Sequence, residues 1–196
     1  MPTTKTGLPV LAFASSAEWE AWLEAQPTTS KGVWLKLAKA ASGIPSVSKP
    51  EAIDGALCHG WIDGQLDKFD TNHWLIRFTP RRPNGRWSQD NRARALALIK
   101  LGHMRPAGMR AIEQAKRAGL WEAAYAPQSR ATIPKDLQSV LDRSPRAKRH
   151  FDQLDSRNRY AILYRVQDAK KPETRAQRIE KYVAMLARGE TIYPTK

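Results

Sequence analysis

The sequence has one cysteine and no long apolar segment. Cys58 stands alone among 196 residues, which excludes an intramolecular disulfide and a multi-cysteine metal site. No apolar run approaches the roughly 18 residues that a membrane-spanning helix requires, so no transmembrane segment is predicted. Residues 1–13 carry only Lys5 as a charge and no apolar core of secretory length. We therefore expect no signal peptide and a cytoplasmic location.

Patterns that bind metals or cofactors are missing from the sequence as well. The histidines are scattered, no two of them lie four residues apart, and nearby carboxylates lack ligand spacing. They are His59, His73, His103 and His150. There is no glycine-rich phosphate loop of the Walker or dinucleotide-binding type. The sequence therefore predicts no metal site and no cofactor.

Cys58, His59 and Asp63 are the residues that most resemble a catalytic group, with a nucleophile, a base and an orienting acid. Adjacent residues on a helix point about 100° apart, so Cys58 and His59 cannot readily share a proton. Cys58 follows Leu57 and is expected to be a buried, small apolar group. We predict no catalytic residue.

Arginine is absent from residues 1–75, where the net charge is −2, whereas residues 76–196 have a net charge of +16. A basic half of this size can attract nucleic acid, acidic lipid headgroups or an acidic protein. It is equally consistent with a helical surface that uses arginine for solubility.

The first part of the chain predicts a small αβαββ unit. Ser15 and Glu18 form a capping-box pattern before the first helix, and Gly64 indicates a β-bulge. Apolar alternation indicates strands and the turn residues separate them. The predicted elements are a helix after Ser15, a strand at 33–38, a helix over 50–59, and strands at 61–69 and 73–79.

After residue 88 the sequence predicts helices only, each with proline or serine at a starting position and apolar residues three or four apart. They are expected at 88–101, 106–119, 134–141, 144–154, 156–169 and 172–188. Two prolines within residues 125–134 mark a boundary. The predicted fold class is α+β, with a module at 1–125, a linker at 126–134 and a helical module at 135–196.

Three motifs carry a family resemblance. Residues 56–65 read ALCHGWIDGQ, and residues 78–83 read FTPRRP before Trp87, Ser88 and Asn91. Residues 169–175 read AKKPETR. Together they resemble the YdeI/OmpD-associated family. The resemblance implies that family's C-terminal helical domain and a role in bacteriocin protection, resistance to cationic antimicrobial peptides or porin expression.

The segment between Trp61 and Asn91 predicts an anion-binding pocket. Residues 76–110 contain nine basic residues and one acidic residue, Asp90, and Ser88 begins a helix whose free N–H groups favour negative charge. Trp61, Trp74 and Trp87 are candidates for a cavity wall. The candidate binding residues are Trp61, Asp63, Arg77, Arg81, Arg82, Arg86, Trp87, Ser88 and Asn91.

A purely structural role for these residues is the alternative. Arg81 and Arg82 would then pair with Asp63, Asp67 or Asp70 and hold the loop against the hairpin, while the tryptophans fill the core.

In the helical module, the candidates for contact with a phosphate backbone are Arg146, Arg149, Arg157 and Arg159. No readout motif for nucleic acid is present, so such contacts would be backbone-directed. A solvated basic face is the alternative.

Three functional hypotheses remain at this point. The leading one is a non-enzymatic accessory protein of stress or envelope protection that binds an anionic ligand or an acidic protein. The second is a nucleic-acid-associated protein that uses the basic helices. The third is an enzyme acting on a small acidic metabolite, which requires a pocket uniting Asp63 with Arg81 or Arg82.

Overall fold

The computed structural model describes residues 7–27 and 29–194, so the prediction about secretion at residues 1–13 falls partly outside the described residues. The chain divides into two compact units, Met1–Ala124 and Tyr125–Lys196. Within the described residues it forms four strands and eight α-helices, which confirms the predicted α+β class.

The first unit contains a four-stranded sheet and four helices. In chain order the elements are β1 (Val10–Leu11), α1 (Ser16–Glu24), β2 (Val33–Ala38), α2 (Lys49–Cys58), β3 (Trp61–Lys68), β4 (His73–Pro80), α3 (Gln89–Lys100) and α4 (Pro106–Arg117). The sequence analysis missed β1, because two residues are too few to give a periodic signal.

The strand order is β1-β2-β4-β3, so β4 lies between two antiparallel neighbours, β2 and β3. The register of β3 against β4 shifts between Asp63 and Leu66, where the sequence predicted a bulge at Gly64. Ile62 lies opposite Thr79, and Asp63 lies opposite Phe78. Because successive side chains alternate between faces, these two pairs lie on opposite faces of the sheet.

One face of the sheet packs against α1 and α2 around Trp19. The indole of Trp19 is fully buried, and its Nε1 donates a hydrogen bond to the Ala52 carbonyl at 3.0 Å. Its ring stacks on Trp22 with the centroids 5.3 Å apart and also contacts Phe78 of β4. This cluster therefore joins both helices to the central strand.

Two glycines shape the joints between α2 and its neighbours. Gly60, with a φ of 75°, turns the chain from α2 into β3 in a conformation that disfavours other residues. Gly108 lies where α4 crosses the end of α2, and a Cβ there would collide with the Cys58 carbonyl and approach the Leu57 carbonyl oxygen to 2.7 Å. The close approach of α4 to α2 therefore depends on Gly108.

Substituting Gly108→Ala is expected to lower the free energy of unfolding by about 3 kcal/mol. A Cβ there would meet the Met104 sulfur and the carbonyl oxygens of Cys58 and Leu57, and the two oxygens belong to the backbone and cannot rotate away. Urea denaturation checks this. The neighbouring Ala107→Gly variant, which changes only helix propensity, is expected to lose less than about 1 kcal/mol. Unchanged stability of Gly108→Ala would contradict the packing described.

The second unit is helical and contains α5 (Lys135–Asp142), α6 (Pro145–Asp152), α7 (Ser156–Gln167) and α8 (Pro172–Ala187). Its core includes Leu137, Phe151, Ile162 and Leu186, all with essentially no exposure. Arg175 of α8 binds both carboxylate oxygens of Asp136 on α5, and this hydrogen bonding lowers the pKa of Asp136. Residues 126–134, expected as a linker, contain a short 3-10 helix, Gln128–Arg130.

Candidate anion-binding site

A cleft of about 760 Å³ lies beside β3 and β4 and the loop that follows β4. Its lining contains five cationic side chains and no carboxylate. We call it the arginine cleft, and its cationic residues are Lys31, Arg77, Arg81, Arg82 and Arg86. Four of these five are predicted site residues, so the fold brings the predicted arginines together.

Sheet register explains why these residues meet. Val33 of β2 lies opposite Phe78 of β4, so the residues just before Val33 adjoin those just after Phe78. Lys31 therefore reaches the same cleft as Arg81, although it lies 50 residues earlier in the chain. The sequence analysis missed Lys31, because the pairing of β2 with β4 leaves no local signal.

Arg77 contributes a positive charge with an unsatisfied donor to the cleft. It is half-buried on the central strand, and its Nε is buried without a hydrogen-bond partner among the described residues. A buried donor of a charged group that lacks an acceptor is costly, and an anion in the cleft can supply that acceptor. Arg77 and Arg82 also form no ion pair with any residue in the described part of the chain.

Arg81 is held in place by stacking. Its guanidinium carbon lies 3.5 Å from the centroid of the Trp87 ring, within the range of a strong cation–π contact. Trp87 is buried and packs edge-on against Trp121 at 4.8 Å. The charge of Arg81 is therefore fixed at the cleft with little side-chain entropy left to lose on binding.

The pairing of Arg81 and Arg82 with Asp63, Asp67 or Asp70 is not found among the described residues. Asp70 instead accepts hydrogen bonds from the backbone N–H and the ring of His73. Within the described residues, Asp63 and Asp67 form no ion pair. Asp63 shares the face of Phe78, whereas Thr79 and Arg77 belong to the other face. Asp63 is therefore not among the residues that line the arginine cleft.

The tryptophans do not line the arginine cleft either, contrary to the expectation. Trp61 is buried against Trp22, with the rings 5.6 Å apart, and borders an adjoining cavity of about 490 Å³ that shares Arg81 with the arginine cleft. Trp74 packs on the core around Trp19, and Trp87 lies beneath Arg81. Indole rings are large apolar groups, so core burial outweighs a place in a polar cleft.

Ser88 and Asn91 also lie outside the lining of the cleft. The Ser88 hydroxyl accepts a hydrogen bond from the Asn91 backbone N–H at 3.1 Å, so the side chain itself caps α3. The Ser88 hydroxyl therefore has a structural role, and the contact of Ser88 and Asn91 with an anion stays a prediction.

Asp63 is not in the lining of the cleft that contains Arg81 and Arg82, so the described residues do not show the pocket that an acidic-metabolite enzyme requires. Cys58 is buried at the end of α2, and burial, followed by the nearby charges of Glu20 and Asp54, raises the pKa of its thiol to about 11. His59 donates from Nδ1 to the Gly55 carbonyl at 2.8 Å. Its ring is therefore oriented by α2 itself.

Thiol labelling of the folded protein is expected to be slow at neutral pH. The raised pKa of Cys58 alone lowers its thiolate fraction about 100-fold relative to an ordinary thiol, and burial slows attack further. Labelling rates with and without urea measure the effect. Equal rates in the two conditions would contradict the buried position of Cys58.

The basic residues of the second unit do not form one face. Arg157 and Arg159 are two positions apart on α7 and therefore point about 200° apart. Arg157 lies over the ring of Tyr193 at 4.1 Å, and Arg159 over Phe151 at 4.6 Å. Arg146 and Arg149 are exposed on α6. The four arginines predicted to contact a phosphate backbone therefore lie in different surroundings.

No cluster of three or more His, Cys, Asp or Glu residues suited to a metal ion occurs in the described part of the chain. Across residues 7–27 and 29–194, none of the helices combines the length and the apolar character needed to cross a membrane.

Two family models match the chain, one in each unit. Residues 11–111 match the family model of a domain of unknown function, DUF8412, over more than half of the 196 residues. The chain belongs to the DUF8412 family. The DUF8412 match contains every cationic residue of the arginine cleft.

Residues 130–189, beyond the DUF8412 match, fit a second family model, described as Bacteriocin-protection, YdeI or OmpD-Associated. This confirms the predicted resemblance and its C-terminal helical domain. The motifs at residues 56–65 and 78–83 lie within the DUF8412 match instead. No curated protein and no solved structure matches the chain.

Proposed function

We propose that this chain binds a multivalent anion in the arginine cleft, as a non-enzymatic accessory protein of stress or envelope protection. The observation that carries the proposal is a cleft lined by five cationic side chains without a carboxylate. Its volume of about 760 Å³ falls in the range of small-molecule sites.

The charge arrangement favours an anion with more than one negative charge. Arg77 offers a buried donor, Arg81 is fixed on Trp87, and Arg82 is exposed and free to close on a ligand. Several guanidinium groups around one cleft repel each other, and a multivalent anion relieves that repulsion at several positions at once. A monovalent anion satisfies fewer of them.

The protective role is supported by the family description of residues 130–189, which names bacteriocin protection. An acidic segment of a partner protein also carries several negative charges and is a second candidate occupant. The nucleic-acid alternative has less support, because Arg157 and Arg159 point in different directions. The cytoplasmic location stays a prediction.

Isothermal titration of the whole protein with pyrophosphate, inorganic phosphate and an acidic peptide tests the proposal. We expect saturable binding of pyrophosphate with a Kd below about 1 mM, and weaker binding of phosphate. Affinity should fall as the salt concentration rises from 0.1 M towards 1 M, because the Debye screening length shortens from about 10 Å to about 3 Å. Absence of saturable binding by all three probes would overturn the proposal.

A further inference from the structure

A further cavity, of about 320 Å³, is lined only by residues of the second unit. We call it the tyrosine pocket. The lining residues that matter here are Arg157, Tyr160, Ala161, Tyr164, Arg165 and Tyr193. No carboxylate belongs to its lining, so it combines three aromatic rings with two positive charges.

One face of α7 supplies most of the pocket. The lining residues of α7 recur three or four positions apart, which places their side chains on the same side of the helix. They are Arg157, Tyr160, Ala161, Tyr164 and Arg165. Between the two tyrosines of this face lies Ala161, whose small side chain is buried in the pocket lining. The spacing therefore builds a recess flanked by rings.

The opposite wall, Tyr193, is anchored by a buried polar side chain. Asn158 is fully buried, and its Oδ1 accepts a hydrogen bond from the Tyr193 backbone N–H at 2.8 Å. Its Nδ2 donates to the Tyr193 carbonyl at 3.2 Å. These two bonds fix a residue near the end of the described chain against α7, although it lies 35 positions from Asn158.

The rings and the charges are preorganised as well. Tyr160 donates its hydroxyl to the Ala126 carbonyl at 3.0 Å, and Tyr125 meets Tyr164 edge-on at 5.3 Å. The guanidinium carbon of Arg157 lies 4.1 Å above the Tyr193 ring, and Arg165 donates to the Tyr193 hydroxyl at 3.3 Å. Binding therefore requires little further ordering of these groups.

We propose that the tyrosine pocket binds a flat aromatic ring that carries a phosphate, the chemistry of a nucleoside monophosphate. Tyrosine faces and guanidinium planes stack on any base without reading its sequence, and arginine is well suited to phosphate oxygens. The size of the pocket matches a single ring system better than a chain of them. This site is separate in residues and in unit from the arginine cleft.

The distribution of aromatic residues permits a selective measurement. All five tyrosines lie between residues 125 and 193, and all seven tryptophans lie between residues 19 and 121. Fluorotyrosine incorporated into the whole protein therefore reports on the second unit alone. Tyr182 is buried in the core of that unit and does not belong to the pocket lining, so it serves as an internal reference.

Titration of fluorotyrosine-labelled protein with AMP, adenosine and inorganic phosphate, followed by fluorine NMR, tests the proposal. AMP is expected to shift the Tyr160, Tyr164 and Tyr193 signals saturably while the Tyr182 signal stays in place. Its affinity should exceed that of adenosine and that of phosphate by at least about tenfold, because only AMP engages rings and arginines together. Phosphate binding as tightly as AMP, or AMP failing to shift these signals, would overturn the proposal.

Variants assign the binding to the pocket. Arg157→Gln with Arg165→Gln should weaken AMP at least about tenfold and leave adenosine nearly unchanged. Ala161→Leu should weaken both by filling the recess. The control, Lys170→Gln with Lys181→Gln, removes the same charge from exposed positions and should have little effect. An equal loss of AMP affinity in the control and in the arginine pair would mean a diffuse charge effect and would overturn the site.

Discussion

Replacing Arg77 and Arg82 together by glutamine is expected to weaken pyrophosphate binding about 30-fold, a loss of about 2 kcal/mol. Arg77 should contribute more, because its Nε is buried and has no acceptor among the described residues. Arg82 is exposed, so solvent screens its contribution. Isothermal titration of wild-type protein and both single variants measures the two contributions.

A matched variant in the same unit separates this effect from general electrostatics. Lys100→Gln with Arg117→Gln removes two positive charges from exposed positions outside the cleft lining. Its pyrophosphate affinity should stay within about threefold of wild type, because distant surface charges are screened. If this pair lost as much affinity as Arg77 and Arg82, binding would depend on net charge and not on the cleft.

Trp19→Ala is expected to lower the free energy of unfolding by about 4 kcal/mol, the largest effect on stability that the core predicts. The fully buried indole contacts Trp22 and Phe78, so its removal leaves a cavity between α1 and the sheet. Removal also leaves the Ala52 carbonyl without the hydrogen bond from Nε1. Urea denaturation followed by circular dichroism measures the loss.

The smaller change Trp19→Phe separates these two causes. It keeps much of the apolar volume but removes the donor to Ala52, so we expect a loss of about 2 kcal/mol. A loss from Trp19→Ala no larger than that from Trp19→Phe would mean that the ring itself contributes little to the packing of α1.

Local signals determined how much of the fold the sequence predicted. Proline or serine at helix starts and glycine after helix ends gave helices close to those observed, as at Pro106 and Gly119. Gly64 correctly indicated the bulge in β3. The strand β1 was missed because its two residues form a strand only through pairing with β2.

The candidate site depended on information that is not local. The clustered arginines after β4 were visible as a composition, but the face on which Asp63 lies depends on the register of β3 against β4. Lys31 enters the cleft through the pairing of β2 with β4. Tyr193 is held at the tyrosine pocket by contacts with α7, among them its hydrogen bonds to Asn158. Pairings across 15 or more positions leave no periodic trace in one sequence.

The central claim, that an anion binds in the arginine cleft, is tested most directly by the Nε–H signals of the arginine side chains in a nitrogen–proton NMR spectrum. During titration with pyrophosphate, the Arg77 signal should shift saturably and most strongly, because its buried Nε gains an acceptor. The signals of Arg146 and Arg149 on α6 should stay nearly unchanged. An unmoved Arg77 signal, or equal shifts at Arg146 and Arg149, would contradict the account.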